Sequence, residues 1–292
     1  TMNAASMENS GFEFSATYRN RDHAFKYDIS ANLSTLKNKV TSLGFGTESY
    51  ITGAYATYVG QEIGQFYGWV YKGIARTQDD LDNNAVQQGA NIGDCLYEDI
   101  SGPNGTPDGV IDAYDQTVLG SGLPKVNFGL STHMEYKGFD LNISTYGVLN
   151  YHVTDDIYNS LNSCYGYGNK DVAMLDANRW SEDGSTYLSN VPRTYAANNA
   201  TLGWNDLFSS RKIQNAAYWK IANVELGYNF PDKWFGGYVS GVRLYVSAQN
   251  LYTFTGYHGY NVDYAGGTFT PGYNFCSFPS ARTFMCGLHF TF

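Results

Sequence analysis

The sequence has no run of 18 apolar residues, so no helix of the usual membrane-spanning kind can form. That absence leaves barrel strands open, because such a strand crosses with about 10 residues of alternating polarity. Clusters of Lys or Arg are also missing. The chain carries 18 basic against 27 acidic residues, a formal net charge of −9, which argues against nucleic acid as a partner. The cysteines Cys95, Cys164, Cys276 and Cys286 include no Cys-x-x-Cys pair and fit no zinc pattern. They read as free thiols or a loop disulfide. The histidines His23, His133, His152, His258 and His289 are scattered without metal-ligand spacing. No secretory signal is visible: Thr1-Met2-Asn3 leads into polar residues, not into a basic segment and an apolar run. The expectation is a signal already removed, or a chain that starts well inside a longer protein.

What the chain does have is aromatic residues and glycine. It holds 26 Tyr, 17 Phe, 5 Trp and 32 Gly against only 7 Pro, a mix that favours β structure. Seven segments alternate with period two, as strands with two unlike faces do. Phe12, Phe14, Ala16 and Tyr18 alternate with polar neighbours. So do Phe25, Tyr27, Ile29, Ala31 and Leu33, and likewise Val126, Phe128, Leu130, Thr132, Met134 and Tyr136. The other four run through Phe139 to Thr145, Val224 to Phe230, Val242 to Ala248, and Phe284 to Phe292. Lys137-Gly138 reads as a two-residue turn placing Tyr136 opposite Phe139. Facing residues then have numbers summing to 275, and Met134–Leu141, Thr132–Ile143 and Leu130–Thr145 share one face.

The connections alternate in length. Residues 19–24, 137–138 and 231–241 are short; 37–125, 150–217 and 253–281 are long and rich in Gly, Asn, Asp and Tyr. Long loops on one side and short turns on the other are the habit of an outer-membrane barrel, with the short turns periplasmic. Tyr18, Phe25, Tyr136, Phe139, Phe230, Trp234, Phe235 and Phe292 cluster near the short-turn ends, as an interfacial girdle does. A soluble β-sandwich with one wet face would explain the alternation but not the systematic loop asymmetry. Seven strands are an odd number, below the smallest single-chain bacterial barrel. An unclosed sheet would leave bare edges in lipid. The expected fold is therefore all-β, an antiparallel transmembrane β-barrel of which residues 1–292 form part. Either further strands lie in 37–125, or N-terminal strands absent from this chain complete the barrel.

Ala217–Pro231 resembles a strand of SusC-like TonB-dependent transporters, and Val242–Tyr257 resembles that family's next strand. Phe278-Pro279, Arg282 and Gly287–Phe292 resemble its final strand; Gly64–Ile74 and Gly93–Asp115 fit earlier segments in family order. The resemblance implies the C-terminal part of a barrel of about 22 strands around an N-terminal plug. It also implies a SusD-like surface lipoprotein as lid and the TonB–ExbB–ExbD complex as energy source. The expected place is the outer membrane of a Gram-negative, Bacteroidetes-type bacterium. The expected activity is import of glycans or oligopeptides into the periplasm. Neither plug nor energy-coupling box lies in this sequence. No nucleophile or acid–base set stands on the polar strand faces, so an enzyme is not expected. The alternative function is a secreted, calcium-stabilised β-rich binding or adhesion module.

One loop carries ligand chemistry. Asp99 through Asp115 resembles an EF-hand-type loop with an insertion of about five residues. Asp108, the Val110 carbonyl, Asp112 and Asp115 keep that spacing around Gly109, and Asp99 would be the first ligand. Ser101 or Asn104 could fill the third position. The expectation is a structural calcium or magnesium ion, set against a plain Gly/Asp/Pro-rich turn. Tyr165, Tyr167, Trp180, Tyr195 and Trp204 fall in the 150–217 loop, where aromatic faces stack on sugars or bury into loop cores; loop packing is preferred.

Overall fold

Period-two alternation becomes a single sheet. The computed structural model describes residues 5–44, 46–164, 169–172, 180–181, 190–194, 203–235, 239–263, 266–275 and 277–292. Seven strands form the wall: β1 (Glu13–Asn20), β2 (Phe25–Thr35), β3 (Val126–Tyr136), β4 (Phe139–Leu149), β5 (Tyr218–Phe230), β6 (Gly241–Thr255) and β7 (Thr283–Thr291). They lie side by side in chain order, each antiparallel to the next. All seven expected strands are therefore present in one sheet.

The β3–β4 hairpin has the expected register, with Tyr136 opposite Phe139 and every pair through Val126–Leu149 summing to 275. Lys137 (φ 48°) and Gly138 (φ 87°) both take positive φ, the two-residue turn whose twist suits antiparallel strands. Glycine meets that demand without a Cβ penalty. Two adjoining bulges interrupt the wall at one level, and in the first Ala222 of β5 is extra against β4, between the pairs Ser144–Asn223 and Thr145–Ile221. In the second, Ala222 of β5 faces both Asn250 and Leu251 of β6, and Asn250 adopts φ 51°. The first bulge shifts the phase of β5, so that Trp219 and Ile221 continue the face begun by Val224 and Leu226.

Each row across the sheet is apolar on one face. Tyr27, Met134, Leu141, Leu226, Val246 and Cys286 stand abreast, as do Ile29, Thr132, Ile143, Val224, Ala248 and Phe284. This face is open to the surroundings: Leu130 is 43% exposed, Leu226 45% and Leu288 57%. A water-soluble monomer does not leave so continuous an apolar surface bare. Aromatic rings edge it at the short-turn end, where Phe139 contacts Tyr228 at 4.6 Å and Phe230 contacts Trp234 at 5.8 Å between centroids. Trp219 stacks on Phe254 at 5.4 Å toward the other end. Between Tyr136 and Phe128 the strand runs eight residues, about 27 Å at roughly 3.4 Å each, or about 21 Å vertically at a tilt of about 40°. That suits the apolar band of an outer-membrane barrel, about 25 Å tall.

The connections 21–24, 137–138 and 231–240 are short, and those at the opposite end, 36–125, 150–217 and 256–282, are long. The segment 36–125 does contain strands, but none joins the seven-stranded sheet; Lys37–Ser42 pairs with Ser6–Ser10. Ser49–Thr52, Tyr55–Tyr58, Gln65–Gly68 and Thr117–Ser121 form a four-stranded sheet, and Tyr71–Ile74 pairs with Cys95–Tyr97. Two small cores underlie this loop layer. One joins Cys95, Tyr97 and Ile111 to Trp69, Tyr71 and Trp204; the other gathers Tyr151, Val153, Ala216, Tyr257 and Val262. No helix among the described residues is long and apolar enough to cross a membrane.

Candidate functional site

The inner face of the wall is largely polar, with Val148 and Met285 among its apolar members, because the pleat sends every alternate residue there. Near the short turns it carries a charged layer. Arg243 of β6 makes a bidentate pair with Asp140 of β4, its Nε donating to Oδ2 at 3.0 Å, and its Nη2 also donates to Glu225 Oε1 of β5 at 2.7 Å. Asn229 Nδ2 donates to the same Asp140 Oδ2 at 2.8 Å. The forked guanidinium suits this geometry because one plane of donors can serve carboxylates on two strands. Gly227 is what makes the space. A Cβ there would stand 2.5 Å from Arg243 Nη2 and 2.6 Å from Asp140 Oδ2. Beside this network His133 bridges Asn142 Oδ1 at 2.7 Å and Glu135 Oε1 at 2.8 Å, and Arg21 pairs with Asp28. His133 is thus a polar wall residue, and His289 stands opposite Arg243 on the same face.

Above the charged layer the inner face turns small and neutral. Thr17, Ser30, Ser131, Ser144, Asn223, Gln249 and Thr283 stand abreast, one per strand. A depression of about 250 Å³ runs from this row into the charged layer, lined by Ser30, Ser131, Asn142, Ser144 and Asn223 together with Asp28 and His133. The row itself offers neutral hydrogen-bonding groups, a surface suited to solvated passage.

Two buried polar knots fasten the long loops. Asp94, 1% exposed, receives Arg193 Nε at 2.6 Å and Nη2 at 2.8 Å, Asn205 Nδ2 at 2.8 Å and the Asn91 amide at 2.8 Å. It thereby ties the 36–125 loop to the 150–217 loop. Asp155, 3% exposed, accepts from the Tyr257 hydroxyl and from the Tyr158 amide at 2.8 Å, and Asn274 Nδ2 donates to Tyr257 Oη at 2.6 Å. That knot joins 150–217 to 256–282. Burial raises the Tyr257 hydroxyl pKa well above its usual value, keeping it a donor. Neither knot was foreseen from the sequence. Their members lie 99 and 102 positions apart, beyond any local pattern.

The acidic loop is organised by hydrogen bonds from main-chain amides to its carboxylates. Asp115 is fully buried; its Oδ1 accepts from the Ile100 amide at 2.8 Å and the Ser101 amide at 3.1 Å, and its Oδ2 from the Asp112 amide at 2.8 Å. Asp99 accepts from the amides of Asp108 and Gly109, at 3.3 and 2.6 Å. Asp108 caps the Val110 amide at 3.1 Å, and Asp112 caps Tyr114 at 2.7 Å. The carboxylates point at backbone amides, not at a common centre. Among the described residues no group of three or more His, Cys, Asp or Glu side chains is placed to hold a metal ion. Asp99, Asp108, Asp112, Asp115 and the Val110 carbonyl are thus brought into one loop, which Asp115 anchors from within.

Cys95 is fully buried, and burial pushes its thiol pKa up to about 12, so it remains protonated. Trp204 packs on Tyr97 at 6.2 Å, and Trp180 is buried over Gly93, in line with loop packing. Cys276, Tyr165, Tyr167 and Tyr195 lie outside the described residues.

An antiparallel sheet with an open apolar face, a polar inner face, an aromatic edge and one-sided long loops defines the wall of a transmembrane β-barrel. The chain is similar over 99% of its length to TonB-dependent receptor P3 of Formosa agariphila, at 29% identity, and to receptor P26 of the same organism, at 28%. It is also similar over 100% of its length to TonB-dependent receptor SusC of Bacteroides thetaiotaomicron, at 26% identity. The solved structure of the RagAB peptide transporter superposes with a TM-score of 0.76 over 98% of this chain and 29% of that one, at 22% identity. No family model matches the chain. The resemblance to SusC-like TonB-dependent outer-membrane transporters thus holds from end to end, and the fold is that of their barrels. The chain spans only 27 to 30% of the length of these curated relatives, all of which are named receptors.

Proposed function

We propose that this chain supplies part of the wall and extracellular loops of a SusC-like TonB-dependent importer in the outer membrane of a Bacteroidetes-type bacterium. The observation that carries the proposal is the seven-stranded sheet with a lipid-suited outer face and a polar, catalytically bare inner face. The two outermost strands, β1 and β7, have no strand partner on their outer edges among the described residues. Bare edges in hydrocarbon cost several kcal/mol per unpaired group, so further strands must close the barrel. In this reading a plug fills the lumen and TonB–ExbB–ExbD supplies the energy. A SusD-like lipoprotein caps the loop layer, and glycans or oligopeptides enter the periplasm. The peptide named with RagAB supports the oligopeptide branch by analogy of fold.

The test is membrane fractionation of the source bacterium followed by uptake. The protein should sediment with outer membranes, need detergent for release, and migrate in a heat-modifiable way on gels. Deleting its gene should abolish uptake of labelled oligopeptides or of labelled glycans, and whichever is lost names the cargo. Recovery as a soluble secreted protein would defeat the reading.

A further inference from the structure

The β1–β2 hairpin does not stop at the top of the apolar band. Facing residues in β1 and β2 sum to 47, from Asn20–Tyr27 to Glu13–Ser34. After a short interruption at Gly11, Phe12 and Leu36, the strands Ser6–Ser10 and Lys37–Ser42 pair with the same sum, as in Ser10–Lys37, Asn9–Asn38 and Glu8–Lys39. The interruption is therefore in phase, and the two faces of the wall carry through it. Gly11 permits the crossing, because a Cβ there would fall 1.9 Å from the Thr35 carbonyl oxygen.

Continuity of phase decides where each side chain points. Asn38 and Val40, 6% and 2% exposed, continue the inner face and pack under the loop layer, with Asn38 Oδ1 accepting from the Ile63 amide at 2.9 Å. Lys37 and Lys39 continue the outer face directly above Leu33, beside Phe12 and Phe14, which are 83% and 63% exposed. Both lysines are exposed. Neither forms an ion pair among the described residues, although Glu8 stands opposite Lys39. Lys37 lies four residues above Leu33, about 14 Å along the strand and about 10 Å vertically at a tilt of about 40°. Its flexible stem can lie along the apolar band while the ammonium reaches the polar layer. With Glu8 the carboxylate facing Lys39 across the ribbon, the two lysines leave a net positive charge at headgroup height in a chain whose net charge is −9.

We infer that Lys37 and Lys39 form a contact site for the phosphate groups of outer-leaflet glycolipid, on the lipid-facing side of the ribbon. Phe12, Phe14 and Leu33 receive the acyl chains below them. This rests on the membrane-barrel reading above. Each lysine near an anionic lipid surface contributes about fivefold in affinity, the pair about 25-fold.

The test uses the intact barrel that contains this chain, purified and placed in phosphatidylcholine vesicles. Bis-phosphorylated lipid A, its dephosphorylated counterpart and inorganic phosphate are titrated separately, with quenching of a fluorophore beside Phe12 as readout. Phosphorylated lipid A should bind, and Lys37→Gln with Lys39→Gln should weaken it about 25-fold. The double Arg variant should retain binding. Equal binding of phosphorylated and dephosphorylated lipid, equal binding by wild type and the Gln pair, or equal capture of inorganic phosphate would overturn the inference while leaving the barrel intact. A protein that stays in the soluble phase without entering vesicles would overturn the barrel reading and the inference with it.

Discussion

The wall and the loop layer of this molecule are held together by opposite means. In the wall each strand repeats one rule, alternate residues out and in, and the main-chain ladder supplies most of the cohesion. In the loops no rule repeats. Short strands of two to six residues are fixed by single buried polar groups, Asp94 and Asp155 above all. A periodic structure tolerates the loss of any one side chain, whereas a knotted one depends on a few. Mutations should separate the two regions accordingly.

The largest effect is expected at a knot. Asp94→Ala leaves Arg193 half-buried without its carboxylate and removes the anchors of Asn205 and Asn91. Breaking such a pair costs about 3 kcal/mol or more locally. Hydrogen exchange should rise across the neighbourhoods of residues 75–97 and 190–212 while β3 and β4 stay protected. Equal loosening of the wall would mean that the two regions are not separable.

In the wall, Leu130→Arg should cost about 2–4 kcal/mol of folding free energy into vesicles, as Arg on a lipid face near the midplane does. Ser131→Arg, one residue along on the inner face, should cost far less. Similar costs at both positions would remove the distinction between faces. A smaller loss, about 1–3 kcal/mol from overpacking, is expected for Gly227→Ala, whose Cβ would collide with the Arg243–Asp140 pair. Thermal unfolding measures it, and Gly227→Ala combined with Asp140→Ala should recover part of the loss. The smallest effect is expected from metal. Calcium or EDTA should leave the melting temperature unchanged, since Asp99 and Asp115 are already committed to amides. A rise in melting temperature with calcium, lost in Asp108→Asn, would restore the ion reading.

The same contrast explains what could be read from the amino acids alone. The seven wall strands, the Tyr136–Phe139 turn and the outward set from Ile29 to Phe284 were legible, because each depends on neighbours two residues apart. The upper ends of β5 and β6 were not. Alternation changes phase in β5 at Ala222, and the apolar series of β6 is interrupted by Asn250, so only the pairing shows that Trp219 lies on the outer face opposite Phe254. The acidic loop was ambiguous for a similar reason. Asp-Gly-x-Ile-Asp-x-x-Asp spacing suits both an ion and a carboxylate-capped turn, and the choice depends on the direction taken by the Asp115 side chain. Asp94–Arg193 and Asp155–Tyr257 left no local mark at all.

The central claim is that the outer face of the seven-stranded sheet meets lipid and the inner face meets water. Nitroxide labels at positions 130, 226 and 244 on one face, and at 131, 142 and 249 on the other, test it most directly in the reconstituted barrel. The account predicts that the first set relaxes with oxygen dissolved in the bilayer and ignores a water-soluble nickel chelate, and that the second set does the reverse. Nickel accessibility at positions 130, 226 and 244 would contradict it.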